Sequence, residues 1–454
     1  MLRPRMIAII WLTCLPAGPA PGAIAPAGEG RLPPVVQSEI DRMRISQTPM
    51  VALVREVNAV GAAVYRDSDP AVRAHARKAK AQAVRAVLRE TASRAVLRAL
   101  HSDAPLRERM TWFWFNHFNV YSGKRDIAAM VPDYEDGLRT RALGRFRDLL
   151  GMTVIHPAML RYLDNDLNVA GRINENYARE LMELHTLGVD GGYSQQDVVQ
   201  LAHILTGLGV RIDERIAPIP PRLKAYHVRK GLFEFDPRKH DFGDRILLGQ
   251  KIAGGGLDEI DRALDLLARS PATARHISRR ISAYFLGVPP PPSLVERMAA
   301  AWRRSDGRIA AVLEAMMAAE EYKTAANRGL KDPIDYVLSA ARLKAQGGPI
   351  LNAETLVDWI TRLGEGLYDR HTPDGYPLTG DNWMNPGQMA MRFEIARTIS
   401  RDDFGLPDGP MTQQWEHGAL PFRLQPRTAA AVKAAGSPNQ RWLLILSSPE
   451  FMRR

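Results

Sequence analysis

Cysteine occurs once in these 454 residues, as Cys14, inside a segment that reads as a removable leader. The chain beyond it has no disulfide, thiolate metal ligand or cysteine nucleophile, and its stability must come from its core. Long apolar runs are also missing. Residues 6–15 form a stretch of ten, where a membrane-spanning helix requires about 20, so no transmembrane anchor is expected. Neither a Gly-x-Ser-x-Gly elbow, a Walker loop nor a dinucleotide fingerprint occurs, and both His-Glu-x-x-His and its inverse are absent. Serine-hydrolase, nucleotidase, NAD-dependent and HExxH-type readings therefore lack their usual sequence support. Lysine is scarce, supplying 11 of the 61 basic residues.

The composition is that of a soluble globular protein: 45% hydrophobic, 24% charged, with Gly and Pro together contributing 67 residues. The net charge of +11 is concentrated locally, because residues 66–109 hold eleven Arg or Lys against five Asp or Glu. Such a strip is either the solvated face of a long helix or an anion-binding surface. Residues 1–27 read as a signal peptide, with Arg3 and Arg5 followed by the apolar stretch and by Ala25-Pro26-Ala27 as the small-x-small cleavage pattern. Trp11-Leu12-Thr13 before Cys14 does not fit a lipoprotein signal, and Arg3-Pro4-Arg5 is not a twin-arginine signal. The expectation is export through the general secretion route to the periplasm or the exterior. Nucleic acid is then not an expected partner, despite the charge.

Residues 28–454 are expected to form a mainly α, large multi-helix body with at most a short β-hairpin near 232–248. A lobe boundary is placed near 345–350, at Gln346-Gly347-Gly348-Pro349. An Ala-rich segment over 70–100 carries Val84, Val87, Leu88, Leu97 and Leu100 at helical spacing. Residues 111–120, with Trp112, Phe113, Trp114, Phe115 and Phe118, read as a helix buried all round. Further helices are expected over 158–163, 175–187, 195–208, 257–268, 272–286, 294–303, 309–322, 333–343, 388–400 and 440–447. Leu232–Phe235 alternates as a strand would, with residues 246–248 as its expected partner.

Polar groups concentrate between residues 156 and 206. Asn174 is positioned to cap one helix, Gly188 to end it, and Ser194 with Asp197 to form a capping box for the next. On the first helix Tyr177, Leu181 and Leu184 share an inward face with Asn174 and His185, while Arg179 and Glu183 point away. A histidine on a buried face implies a hydrogen-bonding neighbour. His185 is either a satisfied core residue or part of a site with Glu180, Glu183, His156, Asp164 and Asn165, the material of metal ligation or acid-base work. Glu175, Arg179 and Glu183 at i, i+4 and i+8 suit a surface ion-pair row. Asp164, Asp166, Asn168 and Glu175 stand at positions 1, 3, 5 and 12 of a calcium-type loop, but Val169 occupies the position that needs Gly. An ordinary connecting loop is the other reading. Residues 373–377, Pro-Asp-Gly-Tyr-Pro, are turn chemistry that with Trp383 could rim a cleft.

These blocks, together with Phe113-Trp114-Phe115-Asn116-His117-Phe118, His156-Pro157-Ala158, Asn174-Glu175-Asn176-Tyr177-Ala178-Arg179-Glu180-Leu181, His240-Asp241 and Ser448-Pro449-Glu450-Phe451, resemble the bacterial exported family called domain of unknown function 1800. The resemblance runs from about residue 97 to the C-terminus. It implies a largely helical exported protein, often encoded beside a second exported family of unknown function, 1501, and supplies no established activity. The family's usual Arg-Ala-x-Phe-Gly-like opening is not evident over 28–69.

Two functions follow as expectations. One is binding or processing of an envelope glycan or other anionic extracellular polymer, with a co-encoded exported partner. The other is a metal-assisted or acid-base hydrolase. Glu180, His185 and Asp164 are the catalytic candidates. Asn174, Glu175, Asn176, Arg179, Asn116, Trp383 and Tyr376 are candidates for substrate binding. His117, His156, His240 and Asp241 are candidate ligands for a divalent metal.

Overall fold

The computed structural model describes residues 30–215, 218–324, 329–345, 348–401, 420 and 422–454. The expected leader and Cys14 lie outside them. The architecture is mainly α, as the periodicity predicts, with five strands of three residues each among the described residues.

Helix α1 (Pro34–Arg42) leads to α2 (Pro70–His101), whose first turn is fixed by the Asp69 side chain accepting from the Ala71 N–H at 2.8 Å and by Pro at the first position. The two halves of α2 differ. Arg77, Lys78, Arg85 and Arg89 are exposed, so the front of the basic strip is a solvated face. Arg94 and Arg98 turn inward to Asp136 at 3.0 and 2.6 Å, and this part of the surplus is consumed inside the protein. Helix α3 (Pro105–His117) is buried on every side, with Phe113 and Trp114 at 0% exposure. It is followed by α4 (Val131–Arg141), α5 (Pro157–Tyr162), α6 (Asn176–Glu183) and α7 (Gln195–Ile204). The Ser194–Asp197 capping box is present at the start of α7. Asn174 does not cap α6. Its side chain accepts from the Asn176 N–H at 3.0 Å, and Glu175 stands at the cap position.

The β structure corrects the expected pairing. Strands β1 (Leu208–Val210), β2 (Val228–Lys230) and β3 (Phe233–Phe235) form an antiparallel sheet in the order β1-β3-β2. Phe235 is in register with both Leu208 and Val228. Strands β4 (Arg245–Leu247) and β5 (Gln250–Ile252) make a separate hairpin. Leu248 and Gly249 at its turn both have positive φ, the two-residue geometry whose twist matches antiparallel strands. Residues 246–248 are thus satisfied by their immediate neighbours and are not available to β3.

Helices α8 (Leu257–Arg269), α9 (Pro271–Leu286), α10 (Pro333–Ala345), α11 (Ala353–Arg362), α12 (Pro386–Ser400) and α13 (Pro438–Leu446) complete the elements that matter below. The segment expected as one helix over 309–322 is split into Ile309–Met317 and Glu320–Thr324. Buried apolar side chains form two clusters. The larger one is built mainly from residues between Ile45 and Ala319. The second joins α1 and the end of α2 to α10, α11, α12 and α13. Gln346 and Gly347 of the expected lobe boundary lie outside the described residues; Ala345 before them and Ile350 after them are both members of this second core, which reaches back to Leu330. An apolar cavity of about 40 Å³ lies where the cores meet, lined by Trp112, Phe115, Ile334, Leu338 and Leu367 among others. No helix among the described residues is long and apolar enough to cross a membrane.

Candidate functional site

The last turn of α6 leaves carbonyls without partners inside the helix, as every α-helix does. Two histidines from elsewhere in the fold take them up. His276 on α9 donates from Nε2 to the Leu184 carbonyl at 3.0 Å, and His117 at the end of α3 donates from Nε2 to the His185 carbonyl at 3.1 Å. These bonds bring three imidazoles together: the His117 ring lies 6.0 Å from that of His185 and 6.3 Å from that of His276. Arg280, one helical turn beyond His276 on α9, is close enough for its charge to act on all three.

The electrostatics of the cluster follow from burial. His185 is 1% exposed, and desolvation, reinforced by the Arg280 charge, holds its pKa down to about 3. The same causes hold His276 at about 4, while burial pushes the Arg280 guanidinium down to about 10. The imidazoles are neutral at pH 7. His117 Nδ1, His185 Nε2 and Arg280 Nε are sealed from solvent with no hydrogen-bond partner. The neighbour expected for His185 is present at its backbone, but its ring nitrogen Nε2 remains unanswered.

A loop over residues 370–376 runs beside this cluster, held by polar residues of the aromatic helix and reached by Arg280 at the Asp374 carbonyl. Asn116 and Tyr376 exchange two hydrogen bonds, Asn116 Nδ2 donating to the Tyr376 carbonyl at 3.0 Å and the Tyr376 N–H to Asn116 Oδ1 at 2.6 Å. Asn119 donates to the carbonyls of Arg370 and Thr372, both at 2.9 Å. Tyr162 donates to the His371 carbonyl at 2.7 Å, and Tyr121 stacks on the His371 ring at 4.0 Å. Gly375 (φ +76°) is required at the contact, because a Cβ there would stand 2.1 Å from the Asn116 carbonyl oxygen.

Glu180 on α6 shares with Arg280 the neighbourhood of Asp374, whose charge acts on both. It is half-buried, and among the described residues its carboxyl has no hydrogen bond or ion pair. Burial raises its pKa first, and the neighbouring charges of Glu183 and Asp374 raise it further against a lowering by Arg179. The charges of Glu180 and Asp374 also act on Tyr162. A partly solvated carboxyl whose pKa is raised meets one requirement of a general acid.

The other expected residues are employed elsewhere. Asp164 pairs with Lys124 at 2.8 Å. Glu175 binds Arg179 at 2.9 Å and accepts from Gln195 at 2.8 Å, the surface ion pair expected of this row, without Glu183 as a third member. Asn174 and Asn176 donate to the carbonyls of Asp164 and Leu163. The calcium-type loop does not form a cage: Asn168 is buried and donates to the Ala202 carbonyl, and Asp166 pairs with Arg125. Trp383 is 4% exposed in the second core, 6.2 Å from the Tyr376 ring, so it does not rim a cleft. The four metal candidates are dispersed. His156 caps α5 through Nδ1 and meets Asp133 through Nε2, both at 3.1 Å. His240 donates from Nδ1 to the Thr206 carbonyl at 2.8 Å and faces the buried Glu259. Asp241 is shared by His203 and Arg245, and only His117 reaches the cluster. Among the described residues no three His, Asp or Glu side chains are grouped to hold a metal ion.

Sequence reasoning brought forward His117, His185, Glu180, Asn116 and Tyr376 but missed Arg280, His276, Tyr162 and the full role of Asp374. His276 and Arg280 did carry a signal: at i and i+4 they share one face of α9 next to its buried stripe.

The class defined so far is a mainly α-helical protein with a polar cluster built on the C-terminal end of one short helix. The chain belongs to the family described as protein of unknown function (DUF1800), whose profile matches residues 11–453. No curated protein and no solved structure matches it.

Proposed function

We propose that this is an exported protein that binds and processes an envelope or extracellular polymer, acting with a second exported protein, and that Glu180 is its proton donor. The observation that carries the reading is the free Glu180 carboxyl: half-buried, held toward its protonated form, and facing Asp374 and Tyr162. Acid-base chemistry needs such a group within reach of a bound substrate. The metal-assisted alternative has less support, since the candidate imidazoles cap carbonyls or pair with carboxylates at separate places.

The test uses the purified mature chain and its Glu180→Gln variant against purified peptidoglycan sacculi, polygalacturonate and an uncharged β-glucan, reading retention on the polymer and release of new chain ends. Retention of one polymer by both proteins, with chain-end release by the wild type only, is the expected result. Absence of retention on all three overturns the reading, and equal release by the variant removes Glu180 from its role.

A further inference from the structure

Guanidinium groups inside this protein are answered by carboxylates, by carbonyls they donate to, or by an aromatic face. Arg109 and Arg454 meet Asp335 at 2.9 and 3.0 Å, Arg161 meets Asp126 at 2.5 Å, and Arg139 forks onto Glu108. Arg392 lies over the Tyr336 ring, 4.7 Å from its centroid, and donates to the Lys331 carbonyl. Arg342 donates to the carbonyls at the end of α2. Even the polar recess of about 120 Å³ beside β1 is internally balanced, because its acids Asp166, Glu234 and Asp236 pair with Arg125, Arg211 and Arg238.

Arg280 breaks the pattern. Its one hydrogen bond is a long one, from Nη2 to the Asp374 carbonyl at 3.4 Å, and its Nε is sealed off with no partner. The Asp374 carboxylate is engaged by Thr372 and by Arg370 at 3.4 Å. What surrounds the guanidinium instead is the set of neutral imidazoles. Because His117 and His276 spend their Nε2 protons on carbonyls, their Nδ1 atoms carry lone pairs, able to accept a hydrogen bond and unable to neutralise a cation. Arg280 is part-exposed, the Asp374 charge acts on its guanidinium without a direct ion pair, and a fork of this kind is matched in geometry by a carboxylate or phosphate.

We propose that Arg280 is the anchor for an anionic group on a hydroxylated ligand, a sugar acid or sugar phosphate unit, with His276 accepting from a hydroxyl beside it. The inference rests on the reading of Glu180 as the acid at this site and names the substrate class: an acidic polymer rather than a neutral one. In this proposal Arg280 holds the negative group and Glu180, which has Asp374 as a common neighbour with it, protonates the adjoining linkage.

The test is calorimetric titration of the purified chain at pH 7 and low salt with galacturonate, inorganic phosphate and glucose. Binding of galacturonate or phosphate but not of glucose, weakened about 10-fold or more in Arg280→Gln and partly kept in Arg280→Lys, is expected for the loss of a charge-assisted hydrogen bond. The two acids separate a carboxylate source from a phosphate source. Should Arg280→Gln fail to fold, imidazole NMR of the wild type replaces it: His276 resonances shift on adding the acid and stay put with glucose. Equal binding of glucose and acid, no binding of either acid, or unchanged binding by a folded Arg280→Gln overturns the inference. Glu180→Gln separates the two claims, since it is expected to bind the acid as the wild type does. A wild type that processes the neutral glucan and ignores both acids defeats the Arg280 assignment while leaving Glu180 in place.

Discussion

Two polar clusters lie mostly inside this protein, and their charges are answered to different degrees. The one joining the two cores is closed in charge. Asp335 takes Arg109 and Arg454, Asp332 takes Arg454, and Glu365 accepts from the Ile334 N–H at 3.2 Å. The cluster at the end of α6 is open. It holds three neutral imidazoles and one guanidinium whose single hydrogen bond goes to a carbonyl, with no ion pair to a carboxylate. Burying polar groups is tolerated when each finds its complement. Closure marks a device that holds the fold together, and incompleteness marks a place where something else is expected to supply the missing charge.

The contrast can be broken most forcefully at Asp335. Asp335→Ala leaves two buried guanidinium groups short of their shared carboxylate and is expected to cost about 3–5 kcal/mol, the range for breaking a buried ion pair. Chemical denaturation measures it, and a loss below about 1 kcal/mol would show that the network is not the closed structural unit described.

The open cluster responds to pH. His185 and His276 titrate near 3 and 4 in the folded protein, against about 6.5 when unfolded. The unfolded chain therefore binds more protons between these limits. Their contribution is full above about pH 6.5 and is lost as the pH falls toward 4. Denaturation curves from pH 7 to 4 should show this decline, and His276→Gln should flatten it. An unchanged slope would mean that His276 is not held neutral by the fold.

Smaller effects separate capping from chemistry. His156→Ala removes the cap on α5 and the partner of Asp133, and a loss of about 1 kcal/mol is expected from thermal or chemical unfolding. Glu180→Gln touches no ion pair, so stability should stay within about 0.5 kcal/mol while polymer processing disappears. A large destabilisation there would place Glu180 among the structural residues.

Legibility in the sequence followed the range of the interactions. The aromatic helix, the Ser194–Asp197 box and the inward placement of Tyr177, Leu181 and His185 depend on residues within a few positions of one another, and all were readable. The pairing of β3 was not, because alternation identifies a strand without naming its partner. Trp383 was misread for a similar reason: an aromatic after a Pro-Gly turn can rim a cleft or plug a core, and the packing of the second core decides which. His156 and His240 looked like members of one set with His117 because they are all histidines, yet their hydrogen bonds lie in different parts of the protein.

By itself the sequence determined the helical architecture, the buried character of residues 111–120, the lack of any thiol beyond Cys14 and the residue types available for acid-base chemistry, since each is a property of composition or short-range periodicity. Tertiary structure alone decided that Arg280 and His276 stand against His185 and beside a loop nearly a hundred residues further on. Such meetings are set by which helix ends need capping and which faces must be buried, and these long-range demands leave no fixed spacing in the chain.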